Sequence, residues 1–152
     1  MKSLIFTILI TGCVFMAKAQ QPSDSLEVEA ILEEIFTVCN SVSPEGENSG
    51  MVIFERLSKY ILYSGSEISR KDKTACDYNK AEDHKIVDET GKKIKSWLDN
   101  IQSYKKVKYS LKKEGSVSKH IILLSYQLDK TDKEISFTFL KINNLFLLSE
   151  MK

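Results

Sequence analysis

The chain has 152 residues, of which 28% are charged and 42% hydrophobic, and its formal net charge at pH 7 is +1. This size and composition indicate one compact globular domain and exclude a disordered, collagen-like or low-complexity chain. Because the net charge is close to zero, the strong positive charge that nucleic-acid binding usually requires is missing, and we expect no nucleic-acid partner.

Residues 1–19 are predicted to be an export signal. Lys2 supplies a positive start, an apolar run follows over residues 3–16, and Ala-Lys-Ala at 17–19 fits the small-x-small rule for cleavage before Gln20. The run is too short to span a bilayer well. We therefore expect residues 20–152 to form a single domain that is periplasmic or secreted.

An alternative interpretation of the same segment depends on Cys13. The sequence Ile-Thr-Gly-Cys at 10–13 resembles a lipobox, which would produce a lipoprotein anchored through Cys13. The apolar residues 14–17 depart from the polar tether that usually follows such a cysteine, so free export is favoured. Membrane association is expected only in the lipoprotein alternative.

The mature chain would keep two cysteines, Cys39 and Cys76. An oxidising compartment permits a disulfide bond between them, and closing that loop would contribute roughly 4 kcal/mol to stability. In the alternative, Cys39 is a small buried side chain on the apolar face of a helix. The sequence leaves both interpretations open, because it does not show whether the two residues are close in space.

The first predicted helix covers Ser25–Ser41. Apolar residues recur along it at steps of three and four, which places them on one face. Asp24 is the predicted N-cap, and Glu27 is its capping-box partner three residues later. A polar loop is predicted over residues 43–50.

Two more helices are predicted before the chain changes character. One covers Met51–Leu62, and another covers Ala81–Gln102, where Gly91 lowers helix propensity and allows a kink. Residues 66–80 are polar and fit either an irregular strand or a surface loop. The acidic start of the last helix, residues 82–84, is interpreted as solvated.

From Tyr104 onward the polar and apolar residues alternate, which predicts four antiparallel strands. The first is half-exposed, with Val107, Tyr109 and Leu111 on its apolar side. The run at 121–124 is apolar on both faces and predicts a central strand. Turns are predicted at residues 114–116, at residues 129–133 and at the asparagine pair 143–144, which is typical of a two-residue hairpin.

The predicted fold class is α+β, with N-terminal helices packed on a curved C-terminal antiparallel β-meander. This element order, with Phe-Leu-Lys-Ile-Asn-Asn-Leu-Phe at 139–146, resembles the cone-shaped nuclear transport factor two-like superfamily over residues 24–151. The resemblance implies a cone that opens into a pocket, and homodimers through the sheet. Together with the signal segment, it suggests an exported bacterial member of this superfamily. A cystatin-like sheet covered by helices is the alternative.

The sequence contains no recognisable catalytic or metal-binding motif. It lacks a Walker loop, a Gly-x-Ser-x-Gly elbow, a His-x-x-x-His pair and a Cys-x-x-Cys pair, so no metal and no cofactor are expected. The candidates for a ligand pocket are Tyr109, Tyr126 and His120, because they lie on the meander and cone-fold enzymes often place such groups in the pocket. The alternative is that these side chains serve packing alone.

Charge is distributed unevenly along the chain. Residues 20–55 contain eight acids and no Lys or Arg, whereas residues 92–113 contain eight lysines and one acid. One interpretation is a basic patch at Lys105, Lys106 and Lys108 that meets an anionic partner. The other is that the two charged faces keep the domain soluble and attract each other within the molecule.

Taken together, these features favour a small exported binding or interaction domain without catalytic machinery. Its ligand would be an unknown protein or a small apolar molecule. The alternative is a pocket enzyme of the hydrolase or isomerase type built on the cone fold.

Overall fold

The computed structural model describes residues 23–41, 54–65 and 74–152. The predicted export signal, the lipobox at Cys13 and the predicted loop at 43–50 lie outside these ranges. Within them, neither long helix has the length and hydropathy needed to cross a bilayer.

Helix α1 covers Ser23–Asn40 and confirms the first predicted helix. Its start lies two residues before the predicted one, so the N-cap prediction was wrong. Asp24 lies inside the first turn of the helix. Its carboxylate instead forms an ion pair with Lys141 of the sheet, at 2.8 Å. The negative charge still suits this position, because the first turn carries the positive end of the helix dipole.

Helix α2 covers Ala81–Asn100 and is continuous through Gly91. The glycine therefore serves close packing, and no kink divides the helix. A Cβ atom at Gly91 would lie only 2.4 Å from the ring of Phe54, so a larger residue would push that ring away. The predicted solvated start of this helix is also wrong for Asp83. That side chain is 1% exposed and accepts a hydrogen bond from the backbone N–H of Asp77 at 2.6 Å.

The predicted helix over Met51–Leu62 is confirmed only in part, because Phe54 and Glu55 are helical and the helix ends there. A 3-10 turn covers Ser58–Tyr60, and the chain becomes extended at Ile61. Ile61 forms a parallel bridge with Leu148, and the N–H of Leu62 donates to the Leu148 carbonyl at 2.9 Å. At Leu62 the backbone N–H therefore bonds to the edge of the sheet and not to a preceding helical turn. The local apolar periodicity of the sequence does not predict this change.

Four antiparallel strands in the order β1-β2-β3-β4 confirm the predicted meander. They cover Tyr104–Glu114 (β1), Val117–Leu128 (β2), Thr131–Ile142 (β3) and Leu145–Met151 (β4). The predicted hairpin at Asn143 and Asn144 is confirmed, because both have the positive φ angles of 48° and 62° that such a turn requires. The turn before β3 is shorter than predicted, with positive φ only at Asp129 and Lys130.

The inner face of the sheet packs against the two helices and forms the core with them. The alternation that places Ile122 and Leu124 of β2 on this face also places Phe137 and Phe139 of β3 there. The alternation predicted for β1 holds only in part. A register shift between Lys106 and Lys108 interrupts β1, and Val107 is 50% exposed.

Candidate functional site

Aromatic rings fill the space between α2 and the sheet. The ring centroid of Trp97 lies 5.7 Å from that of Phe137 and 5.5 Å from that of Tyr126. Phe36 of α1 packs 5.3 Å from the same Phe137 ring. The largest fully buried side chains of the protein include Phe137, Phe139 and Ile94. This packing leaves the inner face of the sheet occupied by the protein's own side chains.

Two of the three predicted pocket residues lie together, and the third lies elsewhere. The phenol oxygen of Tyr109 is 2.7 Å from Nδ1 of His120. His120 is 1% exposed and packs edge-on against the ring of Phe146, at 4.8 Å between centroids. Burial lowers the pKa of His120. Tyr126 instead packs on Trp97 and lines a shallow groove of about 270 Å³ at the other end of β2.

The acidic face of α1 lies above this pair and is neutralised by lysines of the sheet. Lys106 is 2.6 Å from Glu29, and Lys141 is 2.8 Å from Asp24. The hydroxyl of the fully buried Ser25 donates to the same Glu29 carboxylate at 2.7 Å. One lysine of the lysine-rich stretch, Lys106, therefore pairs with the acid-rich stretch within the molecule, as one of the two sequence interpretations expected.

The three lysines of the predicted basic patch lie on opposite faces of the sheet. Lys106 stands opposite Leu124 and shares its inner face, whereas Lys108 stands opposite Leu123 on the outer face. Lys105 also lies on the outer face, opposite Ser125, and both outer lysines are exposed. The patch as predicted therefore divides into one lysine committed to α1 and two that face solvent.

The cysteines are buried in the structure. Cys39 is fully buried and Cys76 is 7% exposed, and no disulfide bond joins the two. The Cys39 thiol lies 3.8 Å from the carbonyl oxygen of Gly91. Burial raises the pKa of Cys39 to about 12, which keeps its thiol protonated at neutral pH. Within residues 23–41, 54–65 and 74–152, no group of three or more His, Cys, Asp or Glu side chains is placed to hold a metal ion.

An apolar groove lies where α1, the 3-10 turn and the β3–β4 hairpin meet. We call it the hairpin groove. Its volume is about 200 Å³, and its walls are Ile31, Tyr60, Ala75, Leu145 and Phe146, with Glu27, Lys59 and Asn144 at the rim. Leu145 is 56% exposed and is one of the large apolar side chains that the described residues leave open to solvent. Two wider grooves, of about 340 and 430 Å³, have mixed polar and apolar walls.

The walls of the hairpin groove are held in place by polar contacts behind them. The hydroxyl of Tyr60 donates to the carboxylate of Glu34, and Lys59 lies 3.3 Å from the same carboxylate. The hydrogen bond from Tyr60 lowers the pKa of Glu34, so this carboxylate stays ionised at neutral pH. On the other wall, the Lys141 ammonium lies 4.8 Å from the centre of the Phe146 ring. Both rings are therefore fixed before anything binds.

None of the groove residues was a candidate from the sequence. They come from α1, the 3-10 turn, the segment before α2 and the β3–β4 hairpin, so no local pattern joins them. One sequence signal points toward the site, because Leu145 follows the tight turn at Asn143 and Asn144 and begins an apolar run. An apolar run of that kind predicts a strand but does not show which residue stays exposed.

Comparisons with known proteins add little to this description. No protein-family model matches the chain. A search of curated proteins also found no match. Among solved structures, the chain is similar to a designed nuclear transport factor two-like protein (Rd1NTF2_05) with a TM-score of 0.45 and 8% sequence identity. That similarity covers 85% of this chain and 97% of the designed chain.

Proposed function

We propose that this protein is a non-catalytic interaction domain that receives an apolar side chain of a partner protein in the hairpin groove. The observation that carries this proposal is the groove itself, whose walls are almost entirely apolar although they are open to solvent. Open apolar concavities on a domain with a well-filled core commonly mark interaction sites.

The size of the hairpin groove favours a side chain over a whole small molecule. Pockets for drug-sized ligands usually enclose about 300–1,000 Å³. A groove of about 200 Å³ is smaller and suits one leucine-sized or phenylalanine-sized group. A single apolar anchor seated in such a pocket often dominates the energy of a protein–protein interface.

Burial of Leu145 supplies part of the driving force. Full burial of a leucine side chain is worth about 1.5–3 kcal/mol, and Leu145 is still 56% exposed. Covering the rest of it therefore contributes about 1 kcal/mol before the partner's own apolar surface is counted. Because Glu34 and Lys141 already hold the rings of Tyr60 and Phe146, little ordering opposes binding.

The enzyme alternative has less support in the geometry. The acid–base pair of Tyr109 and His120 on the sheet offers little to a substrate, because His120 is 1% exposed. A general acid or base must reach the reacting group within hydrogen-bond distance. The hairpin groove instead offers apolar walls to its occupant.

Residues 1–19 are included in the proposal as a cleaved export signal, so the partner would be met outside the cytoplasm. The support is the charged start, the short apolar run and Ala-Lys-Ala at 17–19. N-terminal sequencing of the protein recovered from its natural host tests this point. A mature chain that starts at Gln20 supports export, a lipidated start at Cys13 supports the lipoprotein alternative, and an intact Met1 contradicts both.

Titration with defined side-chain analogues tests the groove. N-acetyl-leucinamide and N-acetyl-phenylalaninamide should shift the methyl NMR signals of Ile31 and Leu145, whereas N-acetyl-lysinamide should not. Leu145→Asp should abolish the shift of Ile31. The matched control is Leu111→Asp, since Leu111 is 48% exposed on β1 and lies outside the groove. Equal loss in both variants, or no shifts in the unmodified protein, would overturn the proposal.

A further inference from the structure

A second surface with the character of a binding site is the free edge of the sheet. Strand β1 is the terminal strand and pairs only with β2 in the sheet order. Most of its residues are exposed, namely residues 105–108 and 111–114, which lie on either side of Tyr109 and Ser110. An edge strand carries a row of backbone N–H and C=O groups that can pair with another strand.

The opposite edge of the sheet is contacted by the protein's own chain. Ile61 bridges to Leu148 of β4, and the N–H of Leu62 donates to the carbonyl of Leu148. Among the parts of the chain that the structure describes, β1 has no comparable neighbour beyond β2.

The free edge carries four lysines without an ion pair in the described residues. We call Lys105, Lys108, Lys112 and Lys113 the edge lysines. Neighbouring lysines behave differently. Lys106 is neutralised by Glu29 at 2.6 Å, and Lys119 by Glu114 at 2.6 Å. The positive charge left along β1 is therefore uncompensated and favours an anionic occupant.

The edge lysines also exclude one occupant, a second copy of the same edge. Antiparallel pairing of β1 with itself would bring lysine rows together, and like charges across a strand pair are destabilising. Lysines on edge strands are a common protection against such self-association. The same charges would stabilise a strand that brings carboxylates.

The edge lysines lie on both faces of the sheet. Lys105, Lys108 and Lys112 share the outer face with their partners on β2, whereas Lys113 stands opposite Ser118 on the inner face. A flat anionic membrane would reach the lysines of one face only. An added strand alternates its side chains between the two faces and reaches both sets.

We propose that β1 binds an extended acidic segment of a partner protein by strand addition, with the carboxylates of that segment meeting the edge lysines. This interaction is separate from the hairpin groove. The two surfaces use different residues, so loss of one activity leaves the other measurable.

The probe for this test is a fluorescent peptide of about eight residues in which adjacent pairs of Glu are separated by Val and Thr, so that carboxylates lie on both faces of one added strand. Binding to the full chain is measured by fluorescence anisotropy, and backbone NMR shifts should cluster on β1. Two control peptides separate the contributions. One replaces each Glu with Gln, and the other has a central Pro, which cannot donate to a strand ladder. Both controls should bind at least about tenfold more weakly.

Charge reversal on the protein provides the matched comparison. The combined change Lys105→Glu, Lys108→Glu and Lys112→Glu should weaken peptide binding at least about tenfold, since each surface pair contributes a fraction of a kcal/mol to about 1 kcal/mol. The control triple reversal alters Lys92, Lys130 and Lys133, which are exposed and lie outside β1. Equal thermal stability of the two triple variants shows that both are folded.

Several results would overturn this inference. Equal weakening in both triple variants would show a general charge effect and no site on β1. Undiminished binding of the Pro-containing peptide would exclude strand addition. Binding to vesicles that contain phosphatidylserine, without binding to the peptide, would assign the edge lysines to a membrane surface. Absence of any peptide binding would leave the edge lysines with protection against self-association alone.

Discussion

The phenol oxygen of Tyr109 lies 2.7 Å from Nδ1 of His120, a side chain buried between the sheet and α1. Nε2 of His120 has no hydrogen-bond partner in the described part of the chain. The nearest charges are Asp24, which favours the protonated ring, and Lys141, which opposes it. Burial has the largest effect and, together with Lys141, outweighs Asp24, so the pKa of His120 is lowered.

This lowered pKa predicts a loss of stability in mild acid. In the unfolded chain His120 binds a proton at its ordinary pKa of about 6.5, whereas in the folded chain it is protonated only at lower pH. Protonation therefore favours the unfolded chain, and the free energy of unfolding falls as the pH drops below about 6.5. His120→Gln should remove this component of the pH dependence between about pH 7 and pH 5.5, a window above the ordinary carboxylate range. Thermal unfolding of both proteins across that window is the measurement, and parallel curves would contradict the prediction.

Gly91 predicts a second effect on stability. Alanine has a higher helix propensity than glycine by about 1 kcal/mol, so Gly91→Ala would stabilise an isolated helix. In the folded protein its Cβ would lie 2.4 Å from the Phe54 ring, and overpacking of this kind costs about 1–3 kcal/mol. We expect net destabilisation by denaturant unfolding.

The control for this prediction is a double-mutant cycle. Phe54→Leu removes the ring that meets the new methyl group, so Gly91→Ala should cost less in that background. An equal cost of Gly91→Ala in both backgrounds would show that the ring does not oppose the substitution.

The pair formed by Lys106 and Glu29 predicts a difference between neighbouring lysines. Lys106→Glu places like charges where the structure has a 2.6 Å ion pair, and we expect a loss of about 1 kcal/mol, limited by partial exposure. Lys108→Glu on the outer face should change stability by less than about 0.5 kcal/mol. The free energy of unfolding in low salt is the measurement.

A charge exchange supplies the internal check on the same pair. The combination Lys106→Glu with Glu29→Lys should restore much of the lost stability, because the two charges again have opposite signs. No recovery in the double variant would indicate that Lys106 acts through its packing alone.

The buried cysteines predict slow thiol chemistry. Because burial raises the pKa of Cys39 to about 12, almost no thiolate is present at pH 8, and a disulfide reagent should modify it only as fast as the protein opens. In a Cys13→Ser variant, both Cys39 and Cys76 should react once the chain is unfolded in denaturant without reductant. Failure of both to react there would show that they are bridged, as the sequence allowed.

Local patterns predicted the elements whose hydrogen bonds are made to neighbours in the chain. The steps of three and four in α1 and the alternation from Tyr104 onward are properties of short windows, so α1 and the meander could be recognised. The positive φ angles at Asn143 and Asn144 also follow from residue type. The end of the predicted helix at Ile61 could not be recognised, because its hydrogen-bonding partner is Leu148 on a distant strand.

The candidate sites divide in the same way. Tyr109 and His120 were candidates because of their residue types, and pairing between β1 and β2 brings their side chains together. Lys106 and Lys108 are near neighbours in the sequence, yet the register shift between them and the alternation of the strand assign them to opposite faces. Exposure of Leu145 was not foreseen, since an apolar run carries no information about which of its members the helices will cover.

By itself, the sequence determined the α+β class and the four-stranded order of the meander. These follow from periodicity and turn chemistry, which act over short stretches of chain. Only the tertiary structure decided that the inner face is filled, that Lys106 pairs with an acid of α1, that the hairpin groove exists and that the edge lysines have no ion pair among the described residues. Those outcomes depend on which side chains from separate segments meet, and packing across the whole chain sets that.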